Sequence, residues 1–165
     1  MSQQSENSAD PVASLLEREV IRDLKARYCR FLDTKDERSW RTIFTPDVRI
    51  RTDLAVPSAD GQPTPSFTVD GADAFVTTVL ASLAGVATVH HCHTPEIILT
   101  SPTIATGVWA MQDWLIYPDG KELRGAGHYH ETCDKHEGEW RISSLHLTRT
   151  VVQTTGDRSG ATAPR

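Results

Sequence analysis

Apolar residues recur every four positions along the start of the chain: Leu16, Val20, Leu24 and Tyr28, with Ile21 and Phe31 beside them. That spacing predicts an amphipathic helix. It opens at Asp10-Pro11, where proline suits the first helical position, and frays near Asp33–Asp36. Tyr28 continues the apolar face, so its ring is expected to be buried with the hydroxyl pointing inward. Glu37–Phe44 predicts a short second helix carrying Trp40, Ile43 and Phe44, broken by Pro46-Asp47. The period then falls to two over Val48–Thr52, a short strand. Leu54–Ser66 holds three prolines and a glycine and reads as a loop that could serve as a lid. After a short strand at Phe67–Val69, Asp70-Gly71 starts another helix, with Asp70 as N-cap. Ala74, Phe75, Val79, Leu80 and Leu83 form its buried stripe, and Gly85 stops it.

From Val86 onward the chain reads as strands. Val86–His93 is one, continued past Pro95 by Glu96–Thr100. Ile104–Tyr117 and Glu122–His136 flank a turn at Pro118-Asp119-Gly120, and Glu137-Gly138 turns into a last strand, Trp140–Val152. Helices first and a meander afterwards predict an α+β domain: a curved antiparallel sheet with helices packed on its concave face. A pocket between sheet and helices is the expected site.

A chain of 165 residues makes one domain, expected over residues 11–155, with a disordered leader over 1–10 and a flexible tail over 156–165. The net charge of −5 and the lack of any Lys/Arg run argue against nucleic-acid binding. No apolar run approaches the ~18 residues of a membrane span, and the N-terminus lacks the basic and apolar regions of a signal peptide. A cytoplasmic protein is expected. Its three cysteines, Cys29, Cys92 and Cys133, are not close in sequence and read as reduced thiols.

Candidate chemistry centres on Thr88-Val89-His90-His91-Cys92-His93. Strand alternation puts Thr88, His90 and Cys92 on one face and Val89, His91 and His93 on the other. An inward His90 is either a hydrogen-bonded core residue or a general base, since imidazole titrates near neutral pH. Asp33 is either a solvated loop carboxylate or the group that orients such a histidine. Asp113 shares a strand face with Trp109, Met111, Leu115 and Tyr117, where a carboxylate needs a partner. Arg149, on a face with Leu145, Leu147 and Val151, is the candidate, in a structural ion pair or a site. His91/His93 and His128/His130 raise the possibility of a metal, but neither a cupin-type glycine and carboxylate spacing nor a His-Glu-x-x-His accompanies them. No metal or organic cofactor is expected. Cys92 reads as a buried thiol rather than a nucleophile.

The ordered set Tyr28-(four residues)-Asp33, Trp40, Phe44-Thr45-Pro46-Asp47, Thr88-Val89-His90, Gly127-His128-Tyr129-His130-Glu131 and Glu137-Gly138-Glu139-Trp140-Arg141-Ile142 resembles the SnoaL-like branch of the NTF2-like superfamily, whose fold is a cone-shaped α+β barrel. The resemblance covers about Val12 to Val152. The functional relatives it suggests are scytalone dehydratase, the bile-acid 7α-dehydratase and hexachlorocyclohexane dehydrochlorinase. In these an Asp–His pair removes a proton and a leaving group departs without a cofactor. Carried over, the resemblance implies Asp33 and His90 as the pair, with Tyr28 as a further catalytic residue. It places Asp113 and Arg149 in the pocket, with Tyr129 or His128, depending on a strand bulge. Trp40, Phe44, Trp109 and Met111 are expected to supply apolar lining.

The implied function is a cofactor-independent lyase of the dehydratase type, acting on a small, largely apolar ring compound such as a steroid or polyketide. An isomerase like ketosteroid isomerase or a polyketide cyclase would use the same base. A non-catalytic binding or subunit-type member is the third reading. The resemblance also implies a homotrimer or homodimer, with Trp114, Ile116, His128 and His130 as candidate interface residues.

Overall fold

The computed structural model describes residues 10–156. Apart from Asp10 and Gly156, the expected leader and tail lie outside the described residues.

Helix α1 spans Pro11–Thr34. Asp10 caps it by accepting the Val12 N–H at 3.0 Å, and it ends at Lys35 in the left-handed region, φ 58°. Its buried face is Ile21, Leu24, Lys25, Tyr28, Cys29 and Leu32. Leu16 and Val20, assigned to that face by their spacing, are 62% and 44% exposed. Reading apolar residues alone rotated the face, because Lys25 is part of it. The Lys25 ammonium contacts the Glu131 carboxylate, and both side chains are almost fully buried. It also lies 3.4 Å from the Tyr129 ring centroid and 4.0 Å from that of Tyr28, so two π faces share its stabilisation. Nearer its start, α1 is fastened by Glu17, which accepts from Lys135 Nζ at 2.6 Å and Trp140 Nε1 at 2.5 Å.

Helix α2 covers Glu37–Thr42 and strand β1 Phe44–Asp53. The sequence expectation carried the helix to Phe44 and broke it at Pro46. Instead Phe44 pairs with Ile142, and the register shifts between Phe44 and Arg49. Pro46 falls in that irregularity, where no ladder hydrogen bond is required of it. Strand β2 is Ser66–Asp70 and helix α3 Ala72–Ser82. Asp70 therefore belongs to the strand. The cap of α3 is Gly71, at φ 92°, whose N–H is taken by the Val48 carbonyl at 2.8 Å.

Strands β3 (Ala87–Cys92), β4 (Glu96–Ser101), β5 (Ile104–Ile116), β6 (Glu122–His136) and β7 (Glu139–Thr155) complete the sheet. Its order is β2-β1-β7-β6-β5-β3, with β4 also paired to β5. All pairs are antiparallel except β1 with β7, which are parallel. The sheet curves without closing, and the helices lie on one face. Tyr28, Trp40, Phe44, Phe75 and Tyr129 meet between the layers, with ring centroids 5.2–6.0 Å apart and mostly edge-on. Among the described residues no helix is long and apolar enough to cross a membrane.

Candidate active site

The end of α1 meets β3 at the open edge of the sheet. An edge strand presents backbone N–H groups with no neighbouring strand to accept them. Asp33 fills that role: its Oδ2 accepts the His90 N–H at 2.9 Å. Its Oδ1 lies 2.7 Å from His90 Nδ1 and accepts the Thr88 hydroxyl at 2.9 Å. Burial pushes the Asp33 carboxyl up, but the bonds from the His90 ring and backbone, the His90 charge and the Thr88 hydroxyl outweigh it and hold it below the usual range. A carboxylate acceptor places a proton on Nδ1 and leaves Nε2 with its lone pair. Among the described residues Nε2 has no hydrogen-bond partner, and the His90 side chain is 8% exposed.

His90 lines a cavity of about 480 Å³ between the sheet and helices α1 and α3. Tyr28, Tyr129, Asp113 and Arg149 line it too, with apolar walls that include Leu32, Phe67, Phe75, Leu115, Leu123 and Leu147. Leu54, which opens the proline-rich loop, also reaches it. Burial, with the negative Glu131 nearby, pushes the Tyr28 phenol well up. Burial does the same for Tyr129, with the neighbouring Tyr28 adding to it. Both phenols therefore keep their protons at neutral pH and can donate hydrogen bonds.

Asp113 is the cross-strand partner of His90, so both side chains rise from the same face of adjacent strands. It is held by Arg149 in a two-pronged pair, Nη1 to Oδ1 at 2.9 Å and Nη2 to Oδ2 at 2.7 Å. The pair spans β6 over Gly125, where an added Cβ would collide with both Arg149 Nη1 and Asp113 Oδ1. Opposite Gly127 the β6–β7 register shifts, pairing Ala126 with Val151 but Gly127 with Arg149. This bulge brings Val152, not Val151, to the cavity beside Arg149, while Val151 turns out and is 44% exposed. On β6 it is Tyr129 that faces inward, and His128 faces outward.

Four residues expected in the lining are not there. Trp40, Phe44, Trp109 and Met111 are all buried in the core behind the cavity wall. Trp40 and Phe44 are used in the aromatic cluster. Trp109 lies over Gly107, whose missing Cβ makes room for the indole, and Met111 packs beneath Arg149, with Sδ 3.8 Å from Nη1. The other histidines lie elsewhere. His91 is in a groove on the outer face of the sheet with Trp114 and Arg124. His130 and His146 are in a second with Arg49 and Arg51. The rings of His128, His130 and His146 follow one another at 6.4 and 6.2 Å. Among the described residues no three His, Cys, Asp or Glu side chains are grouped to hold a metal.

Sequence reasoning did not single out Thr88 or Lys35 for the site. Lys35 Nζ donates to Thr88 Oγ1 at 2.7 Å, completing a chain from ammonium through hydroxyl and carboxylate to imidazole. Burial pulls the Lys35 ammonium down and the Asp33 charge partly restores it. A non-glycine residue in the left-handed region carries local strain, and here that conformation sends the side chain back toward Thr88. The Thr88-Val89-His90 motif was the available sign for Thr88. For Lys35 there was none.

A family model described as SnoaL-like domain matches residues 13–146. Among solved structures, a variant of Rv3472, a protein of unknown function from Mycobacterium tuberculosis, is 25% identical, with TM-score 0.70 over 86% of this chain and 77% of that one. A candidate scytalone dehydratase from Novosphingobium aromaticivorans is 20% identical, with TM-score 0.74 over 88% and 91%. A hexachlorocyclohexane dehydrochlorinase, LinA type 2, is 15% identical, with TM-score 0.72 over 93% and 98%. At these last two identities the likeness is one of fold.

Proposed function

The chain belongs to the SnoaL-like domain family, and from that premise we propose that it is a cofactor-independent lyase eliminating water from a small, largely apolar ring compound. The observation that carries the reading is the Asp33–His90 pair at the wall of a mainly apolar cavity between the sheet and the helices. The presence of a dehydrochlorinase and a candidate dehydratase among the structural neighbours agrees with it.

In this mechanism His90 Nε2 takes a proton from the carbon beside a ring carbonyl. Asp33 keeps the ring in the required tautomer and stabilises the imidazolium that forms. Tyr28 donates a hydrogen bond to the oxygen on which negative charge develops, and Tyr129 stands beside it. The electron pair left on carbon forms the new double bond as the hydroxyl departs, protonated by the imidazolium. Asp113 and Arg149 are a neutralised pair, so the cavity favours an uncharged substrate, with spare guanidinium N–H groups to orient a carbonyl. A steroid or a fused-ring polyketide with a β-hydroxy ketone has the right polarity. The outer sheet face, with Val89, Ile98 and Trp114 partly or largely exposed, is where a homodimer or homotrimer would form in the same proposal.

The test is a panel of ring β-hydroxy ketones analysed by mass spectrometry. A product lighter by one water supports the lyase. A product of unchanged mass with a moved double bond or a new ring shifts the assignment to an isomerase or cyclase with the same base. No conversion and no exchange of the proton beside the carbonyl would leave a binding role.

A further inference from the structure

Two of the three cysteines, distant in sequence, meet in the fold. Cys29 follows Tyr28 on α1, and Cys92 ends β3 on the same face as Thr88 and His90. Their sulfur atoms lie 3.6 Å apart. A disulfide needs about 2.05 Å, so closing the gap takes a movement of roughly 1.5 Å, the size of a side-chain adjustment or a small slide of helix against strand. The two elements are already held together by the Asp33–His90 and Lys35–Thr88 contacts, so the sulfurs stay near one another rather than meeting by chance. Cys133 is buried on β6 and has no thiol at this range.

The environment distinguishes the pair electrostatically as well. Contact with the Cys92 thiol and the nearby Lys25 ammonium draw the Cys29 thiol below its ordinary range despite burial. The same contact and burial push Cys92 up. Cys133 has no such partner, and burial pushes it up. Thiolate character and access decide which sulfurs oxidise. Cys92 is only partly buried, whereas Cys29 and Cys133 are buried.

We propose that Cys29 and Cys92 form a reversible dithiol–disulfide site that closes on reaction with a peroxide and reopens with a dithiol reductant. One sulfur attacks the peroxide O–O bond, which breaks to give a sulfenic acid and one water. The second sulfur then displaces the hydroxyl from that sulfenic sulfur, and its thiol proton leaves with the hydroxyl as a second water. Two thiol protons and two electrons have passed to one peroxide, and one S–S bond has formed. The bond ties α1, beside Tyr28, to β3, two residues past His90, so its state bears directly on the two elements that hold the candidate dyad. The inference does not depend on which reaction that dyad performs.

The experiment uses the full chain, reduced, desalted and treated with hydrogen peroxide, followed by intact mass, thiol titration in denaturant and peptide mapping. The expected product is lighter by two hydrogens, retains one titratable thiol of three, yields a cross-linked Cys29–Cys92 peptide and returns to three thiols with dithiothreitol. Cys29→Ser and Cys92→Ser should each abolish the two-hydrogen loss, whereas Cys133→Ser should keep it. Three thiols surviving treatment would overturn the proposal. So would oxygen added to single cysteines without a cross-link, or a bond that involves Cys133 or joins two chains.

Discussion

The Asp113–Arg149 pair lends itself to a quantitative test, because both charges are out of water. Their side chains are 3% and 11% exposed, and two hydrogen bonds at 2.9 and 2.7 Å join them. Asp113→Leu removes the carboxylate and leaves the guanidinium facing an apolar cavity. Breaking a buried pair from one side costs about 3–5 kcal/mol, whereas replacing both partners with apolar groups is often neutral. Leucine adds apolar surface at the site, so cavity formation is not the source of the loss. At roughly 2–4 °C per kcal/mol for a chain of this size, the single variant should melt about 6–20 °C below the parent. Asp113→Leu/Arg149→Met should recover to within about 1.5 kcal/mol. Gly125→Ala, which changes no charge, should cost about 1–3 kcal/mol, because its methyl group enters the space the pair occupies. Urea denaturation of wild type, Asp113→Leu, Arg149→Met and the double variant, read as a double-mutant cycle, gives the coupling directly. An Asp113→Leu variant within about 1 kcal/mol of wild type, or a double variant as unstable as the single, would refute the reasoning.

Two further predictions concern the groups behind His90. Lys35→Met removes a cation and a donor from the chain leading to Asp33, so the Asp33 carboxyl should titrate at higher pH, followed by carbon NMR; an unchanged midpoint would remove Lys35 from the network. Asp33 is held below its ordinary range, so the unfolded chain takes up its proton first as pH falls. Its contribution to stability is complete above about pH 4 and is lost as pH drops through its folded value. Denaturation curves of wild type and Asp33→Asn should therefore converge on acidification; parallel curves would contradict the assignment.

How much was legible depended on whether the signal was local. The β5–β6–β7 meander came through with β6 residue for residue, because Pro118-Asp119-Gly120 and Glu137-Gly138 announce their own turns. The parallel β1–β7 pairing joins strands from opposite ends of the domain and left no local mark. The buried face of α1 was misplaced because Lys25 is internal only by virtue of Glu131, 106 positions away. The meeting of Cys29 with Cys92 was hidden for the same reason. Alternation along β3 separated His90 from His91 correctly, but on β7 the bulge past Arg149 broke the alternation and exchanged Val151 for Val152. The apolar residues expected in the lining were large enough to be core, and pattern alone cannot say on which side of a cavity wall a core residue lies.

The central claim is that His90, oriented by Asp33, takes a proton from carbon. Exchange in heavy water of the proton beside the carbonyl of a bound ring ketone measures that step whether or not a group then leaves. The account predicts enzyme-dependent exchange that falls about 100- to 10,000-fold in His90→Ala, with the circular dichroism of the fold retained. Exchange in His90→Ala within twofold of wild type would contradict it.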